Sequence, residues 1–172
     1  MTAIPVINTE RLTLRAPRVE DFEHYAAFFA SDRAELERGR CDRAGAWKEF
    51  STVAGQWLLR GYGGFSIEDR ATGDYLGEVG VFHEDSYPEP ELGWMVVAAA
   101  EGRGIAHEAA LAARGWAYRA LGLTTLVSYI DSRNTRSIRL AERLGATRDD
   151  SAARPESGDC LVYRHPGPEA LQ

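Results

Sequence analysis

Apolar and polar residues along this chain alternate in two rhythms. "RLTLRAP", residues 11–17, alternates strictly and stops at Pro17, which predicts a strand with one buried face. "VEDFEHYAAFFAS" follows with Phe22, Tyr25, Phe28 and Phe29 at helical spacing. In "CDRAGAWKEFSTVAGQWLLRG" Asp42 can cap a helix, Trp47, Phe50, Ala54, Trp57 and Leu58 form its apolar stripe, and Gly61 ends it. "GFSIEDR" and "YLGEVGVF" are two β-prone runs around the turn residues "ATGD", a hairpin.

"PELGWMVV" reads as a further strand behind Pro88 and Pro90. A helix from Gly104 to about Leu121 sets Ile105, Ala109, Ala112 and Trp116 on one face, with Gly122 at its end. "TTLVSYI" predicts a buried strand. "NTRSIRLAERLGA" predicts a short helix capped by Asn134, with Ile138, Ala141 and Leu144 inward and Gly145 as terminator. "RDDSAARPESG" is a loop, and "DCLVYRH" is the last strand. The pattern predicts one mixed α/β domain over residues 1–172, with a central sheet of about six to seven strands and four main helices. The central hairpin excludes a purely parallel, doubly wound sheet.

Composition narrows the partners. The 172 residues are 44% hydrophobic and 27% charged, close to the globular average, with a net charge of −6. An acidic balance argues against nucleic acid and is compatible with a cationic substrate. The longest apolar run, "WMVVAAA", is far too short to span a bilayer, and the opening residues lack a leader's apolar segment. A cytoplasmic protein without a membrane partner is expected. Cys41 and Cys160 stand in unrelated contexts and read as free thiols, and no metal-ligand spacing exists.

The segment "EGRGIAHEAA" carries the candidate chemistry. A turn opening a long helix leaves its first amide groups unpaired, and the helix dipole adds about half a positive charge there. Phosphate is the natural guest. Gly102 and Gly104 let a ligand approach the backbone, and Arg103 can add a forked donor. His107 stands where a dinucleotide fingerprint needs glycine, and Leu111 stands where a zinc protease needs its second histidine. A turn that merely starts a helix remains the other reading.

With its flanks, "PELGWMVVAAAEGRGIAHEAA" followed by "SYIDSRNTRSIRLAERLGA" resembles the GNAT superfamily of acetyl-CoA-dependent N-acetyltransferases. The resemblance is strongest to the branch that includes ribosomal-protein N-terminal acetyltransferases, and "RLTLRAPRVEDF" shares it. It covers the chain from about Arg11 to His165. It implies a GNAT-like acyltransferase fold, acetyl-CoA as cosubstrate, and transfer of acetyl to a primary amine by direct attack. It implies that residues 102–106 (Gly102, Arg103, Gly104, Ile105 and Ala106) cradle the diphosphate. The backbone of Trp94, Met95 and Val96 would hold the pantetheine arm and polarise the thioester. Glu101 stands where the family usually has Gln or Arg, and either points to solvent or pairs with an arginine. Asn134 and Ser137 match the branch's NxxS, although Asn134 reads equally well as a helix cap. The tyrosine that protonates the departing thiolate in many members is replaced by Ala141, so Ser137 takes over or the thiolate leaves unassisted.

Amine attack requires a proton acceptor. Glu91 shares a strand face with Gly93 and Met95 and is the first candidate, with Glu89, His83 and Glu84 behind it. The family analogy makes residues 19–61 and the loop after Asp149 the walls of the acceptor cleft. Tyr25, Phe28, Phe29, Trp47 and Trp57 are its aromatics unless they are core. A small-molecule amine and a peptide N-terminus both fit as acceptor, and a homodimer rests on analogy alone. Two rivals stand beside the transferase: a coenzyme A-binding module without turnover, and an interaction domain on the same scaffold.

Overall fold

The computed structural model describes residues 3–156 and 159–171, so Ser157 and Gly158 of the predicted loop lie outside the described residues. The elements run β1 (Ile7–Asn8), β2 (Leu12–Arg15), α1 (Phe22–Ala30), α2 (Arg43–Arg60), β3 (Gly64–Asp69), β4 (Tyr75–Phe82), β5 (Glu91–Val96), α3 (Ile105–Leu121), β6 (Val127–Asp131), α4 (Thr135–Arg143), β7 (Thr147–Arg148) and β8 (Cys160–Arg164). One mixed eight-stranded sheet results, in the order β1-β2-β3-β4-β5-β6-β8-β7. It exceeds the expected six to seven strands by its two-residue edges. β1 and β7 are too short to carry a periodicity.

The caps follow the sequence. The Asp42 side chain accepts the amide of Gly45, and Gly61 closes α2 in the left-handed region at φ 78°. Such caps are worth about 1 kcal/mol each. α3 ends at Gly122 in the same conformation.

α3 packs against one face of the sheet through Ile105, Ala109, Ala113 and Ala117, every fourth residue. Opposite them stand Leu12, Leu14, Phe65, Ile67, Val79, Val81 and Leu92. The predicted stripe is correct for Ile105 and Ala109 but drifts afterwards: Ala112 and Trp116 are half-buried at its flank. On the other sheet face α1 and α2 pack Phe22, Tyr25, Phe28, Phe29, Ala46 and Phe50 against Tyr75 and Met95. The α2 stripe also differs from expectation. Trp47 is 46% and Leu58 69% exposed, while Ala46, Val53 and Gln56 are buried. No helix of the described residues is long and apolar enough to cross a membrane.

Two features position the site. Arg15 holds Asp21 through two 2.8 Å hydrogen bonds and Glu68 through a third at 2.5 Å, and Ser66 adds a 2.7 Å bond to Asp21. This network pins the entry to α1 against β2 and β3. The second is a rupture in the sheet. β5 and β6 are its only parallel neighbours among the described residues, and they pair at one position, Glu91 with Val127. Beyond it the strands part.

Candidate active site

Side chains fill the root of this split. The Tyr129 amide donates to Glu91 Oε1 at 3.2 Å, and Ser128 Oγ donates to the Leu92 carbonyl at 2.6 Å. Behind Ser128 runs a chain of buried donors. Arg114 Nη1 donates to His165 Nδ1 at 3.3 Å, which leaves the His165 Nε2 proton for Ser128 Oγ at 2.9 Å. Burial, and then the Arg114 charge, hold the His165 pKa down at about 3, so the ring stays neutral as this direction requires.

Further along, β5 presents free backbone. The β4–β5 register is unbroken from Gly77↔Val96 to Phe82↔Glu91, and the Val97 amide donates to Leu76. Antiparallel alternation then turns the amides of Glu91, Gly93 and Met95 to β4 and those of Trp94 and Val96 into the split. Met95 therefore does not supply the open backbone donor expected of it. Its side chain, buried on the α1–α2 face, is what reaches the site.

A groove of about 620 Å³ opens at the split. It is lined by Trp94, Met95 and Val96, by Gly102, Gly104, Ile105 and Ala106, and by Asn134 and Ser137, nine of the ten residues expected to contact the nucleotide and its arm. Gly102 and Gly104 adopt φ 71° and 76°, a conformation that side chains strain, so this turn requires glycine at both places. No side chain caps α3, which leaves its first amides without a partner inside the helix, and its first two residues, Ile105 and Ala106, line the groove. The tenth residue, Arg103, turns away: it lies 3.6 Å from Asp69 and lines a separate cleft. The groove's cations are instead Arg33, Arg136, Arg139 and Arg143. Arg33 keeps its Nε buried without a hydrogen-bond partner among the described residues.

Glu101 resolves as the arginine-paired alternative. Its Oε1 contacts Arg33 Nη2 at 2.7 Å and also Arg136 Nη1. Arg33 donates with the same nitrogen to the Val96 carbonyl at 2.7 Å. The acid thus gathers two groove cations beside the glycine turn.

A second, smaller cavity of about 100 Å³ lies on the α1–α2 side of β5. Its charged lining is Glu37, Glu78, Glu91 and Arg38, and its aromatic lining includes Phe29, Tyr87 and Tyr129. Trp94, Met95, Glu37, Asn134 and Ser137 line both spaces. Burial pushes the Glu91 carboxyl up to about 7, against the opposing pull of Arg38, and it pushes Glu78 to about 7 for the same reasons.

The other proton-acceptor candidates are tied elsewhere. Glu89 is bidentate to Arg164 at 2.8 Å, which holds its carboxyl below the usual range. His83 sits 3.4 Å from the Tyr62 hydroxyl and 3.1 Å from the Tyr87 carbonyl, and neither it nor Glu84 lines the cavity. Of the proposed aromatics, Phe29 lines the cavity and Phe28 the groove. Tyr25 and Trp57 are core, and Trp47 stacks edge-on against Phe22 at the surface. Neither α2 nor the loop after Asp149 contributes a described residue to the cavity lining. The cysteines are free thiols and line neither space.

Glu37 was not legible in the sequence. It follows a 3-10 turn over Asp32–Leu36. Its outer side is exposed, but its carboxyl turns inward to accept Asn134 Nδ2 at 2.9 Å, with Ser137 Oγ at 3.5 Å. The protein packed around that carboxyl raises its proton affinity. Asn134 also caps α4, accepting the Ser137 amide at 3.2 Å, so its cap role and its site position coexist. Ser137 Oγ further accepts Trp94 Nε1 at 3.3 Å. Ala141 is fully buried with Ile130, Ala146 and Tyr163.

The chain is 41% identical to an acetyltransferase from Agrobacterium tumefaciens str. C58 of known crystal structure, covering 96% of each chain with a TM-score of 0.90. It shares the fold of the ribosomal-protein-S5-alanine acetyltransferase from Vibrio fischeri, at 17% identity over 96% of this chain and 98% of that one, with a TM-score of 0.72. It is 30% identical over 96 residues to the uncharacterized protein YkkB of Bacillus subtilis (strain 168), covering 52% of this chain and about half, 56%, of that protein. Residues 11–147 match the acetyltransferase (GNAT) domain family, and the chain belongs to that family.

Proposed function

We propose that this chain transfers the acetyl group of acetyl-CoA to a primary amine, a small molecule or a peptide N-terminus, by direct attack. The observation that carries this reading is the segregation of charge around the split. The groove has four arginines against two glutamates, and the cavity has three glutamates against one arginine. An anionic nucleotide suits the first and a cationic amine the second, and the two spaces meet at Trp94 and Met95.

The groove suits acetyl-CoA. The amides at Gly102, Gly104, Ile105 and Ala106, with Arg136, would hold the diphosphate, and the amides of Trp94 and Val96 would hold the amide-bearing arm. Asn134 and Ser137 would border the sulfur end. Bound there, acetyl-CoA supplies the activated acetyl group. Open amide donors aimed at a developing oxyanion are typically worth about 10²–10³ in rate each.

Glu91 accepts the proton in this reading. A free alkylamine is mostly protonated at neutral pH. A carboxyl lifted to about 7 is a competent base there, directly or through one water. The thiolate leaves near Ser137 or unassisted, which a thiol of pKa about 8.5 tolerates.

A thiol-release screen with acetyl-CoA over amines and N-terminal peptides tests the activity. Release with at least one amine supports it. Binding of acetyl-CoA without release on any acceptor indicates a coenzyme A-binding module instead. Glu91→Gln is expected to lower kcat by about 10²–10⁴ while acetyl-CoA affinity holds. Unchanged kcat removes Glu91 from the role and moves it to Glu37, which borders both spaces.

A further inference from the structure

Glu78 has no part in the chemistry above, and its surroundings ask for a ligand. It sits in the middle of β4, 5% exposed, and lines the cavity. Its carboxylate makes no hydrogen bond among the described residues; the nearest cation, Arg38 Nη1, stands 3.7 Å away. That guanidinium is shared, lying 3.9 Å from Glu49 and 4.7 Å above the Phe82 ring. A buried carboxylate normally collects several hydrogen bonds, and one left with a loose, divided ion pair is costly. The Tyr25 hydroxyl, fully buried and without a hydrogen-bond partner among the described residues, is close enough to feel the Glu78 charge.

Register explains the arrangement. Glu78 pairs with Met95, and Glu91 pairs with Phe82, so the two carboxylates share one sheet face. Four residues of strand, about 13 Å, separate the two pairs. Gly93 lies between and lines the cavity, with the Phe82 ring packed against it. With Glu37 the cavity holds three carboxylates against Arg38, a formal charge of −2 when all are ionised. A single ammonium leaves that charge half unmatched.

The geometry points to an acceptor that carries a second cationic group besides its reacting amine, a compact diamine or polyamine, with the Glu78 carboxylate binding the second group. This assignment rests on the transferase reading above and narrows its substrate class. An incoming ammonium or guanidinium supplies the hydrogen-bond donors that Glu78 lacks, and no bond other than those of the acetyl transfer changes.

The test compares 1,4-diaminobutane with butylamine, which share a carbon skeleton, on the full chain and on Glu78→Gln. The unmodified protein is expected to favour the diamine by about tenfold or more in kcat/KM, and Glu78→Gln to remove that preference. Equal kcat/KM for the two amines, or a preference that survives Glu78→Gln, overturns the proposal. So does a preference for an N-terminal peptide with uncharged side chains. The comparison on the unmodified protein stands alone if the variant does not fold. If no amine releases thiol, the transferase reading falls, and calorimetry of the diamine on the protein in the presence of coenzyme A decides this one. Heat weakened by Glu78→Gln supports it, and no heat overturns it.

Discussion

An acid beside a proposed anion site is a contradiction only until its partners are counted. Glu101 contacts Arg33 and Arg136, so it neutralises cations that a diphosphate would otherwise use. Its side chain is 36% exposed, and a pair of that kind is worth about 1 kcal/mol at most. Glu101→Gln is therefore expected to tighten acetyl-CoA binding by up to about fivefold, measured by calorimetry, with the gain fading at about 0.5 M salt. Weaker binding would mean instead that the acid orients Arg33. The same scale shows what the sequence concealed. The place of Glu91 on the cavity was legible because its strand precedes a glycine turn. Glu78 was not: "YLGEVGVF" marks it as the polar face of a strand, and only the packing of α1 and α2 over that face buries it. Glu37 follows a short irregular segment with no period to read. Arg103 misled because adjacency to the glycines says nothing of side-chain direction.

Elements were read more securely than their facing residues. Hairpin, caps and the glycine turn are local chemistry and stand where the sequence put them. Helix faces depend on what packs against them, so the α3 stripe slid from Ala112 to Ala113 and the α2 stripe lost Trp47 and Leu58 to solvent. α3 carries alanine at positions 109, 113 and 117, all fully buried, which lets the helix lie close to the sheet. That closeness fixes where its N-terminal turn meets β5. Ala113→Leu is expected to cost about 1–3 kcal/mol in urea unfolding, since the added methylenes have no space. The same change at half-buried Ala112 is expected to cost clearly less.

Across the whole molecule, buried ionisable groups pull stability in opposite directions. His165 is held near pKa 3 against an ordinary 6.5, so its contribution is intact above 6.5 and is lost as pH falls toward 3. Glu78 and Glu91 are lifted from 4.5 to about 7, so their burial costs least at low pH and most as pH rises through 7. Two glutamates outweigh one histidine, and ligand-free protein is expected to be more stable near pH 5 than near pH 7, by about 2 kcal/mol. Below the carboxylate range the sign reverses. Burial alone would raise Asp21, but its bonds from Arg15, Ser66 and the Arg18 amide outweigh that and hold it below 3.8. Its contribution is therefore lost as pH falls under that value. Thermal midpoints of the free protein across this range check the curve, and a maximum at neutrality contradicts it.

The parting of β5 from β6 after Glu91 and Val127 leaves the sheet as two leaves sewn by one stitch, with Ser128 and the Glu91 carboxyl as knots. A guest whose own amides lie in the gap would supply the missing rungs and lock the leaves together. The wall at Trp94 and Met95, against which an acceptor must rest, then acquires a fixed form only after that guest has arrived. For the acetyl transfer proposed above, the strand pairing favours one order of arrival: the nucleotide first, the amine second.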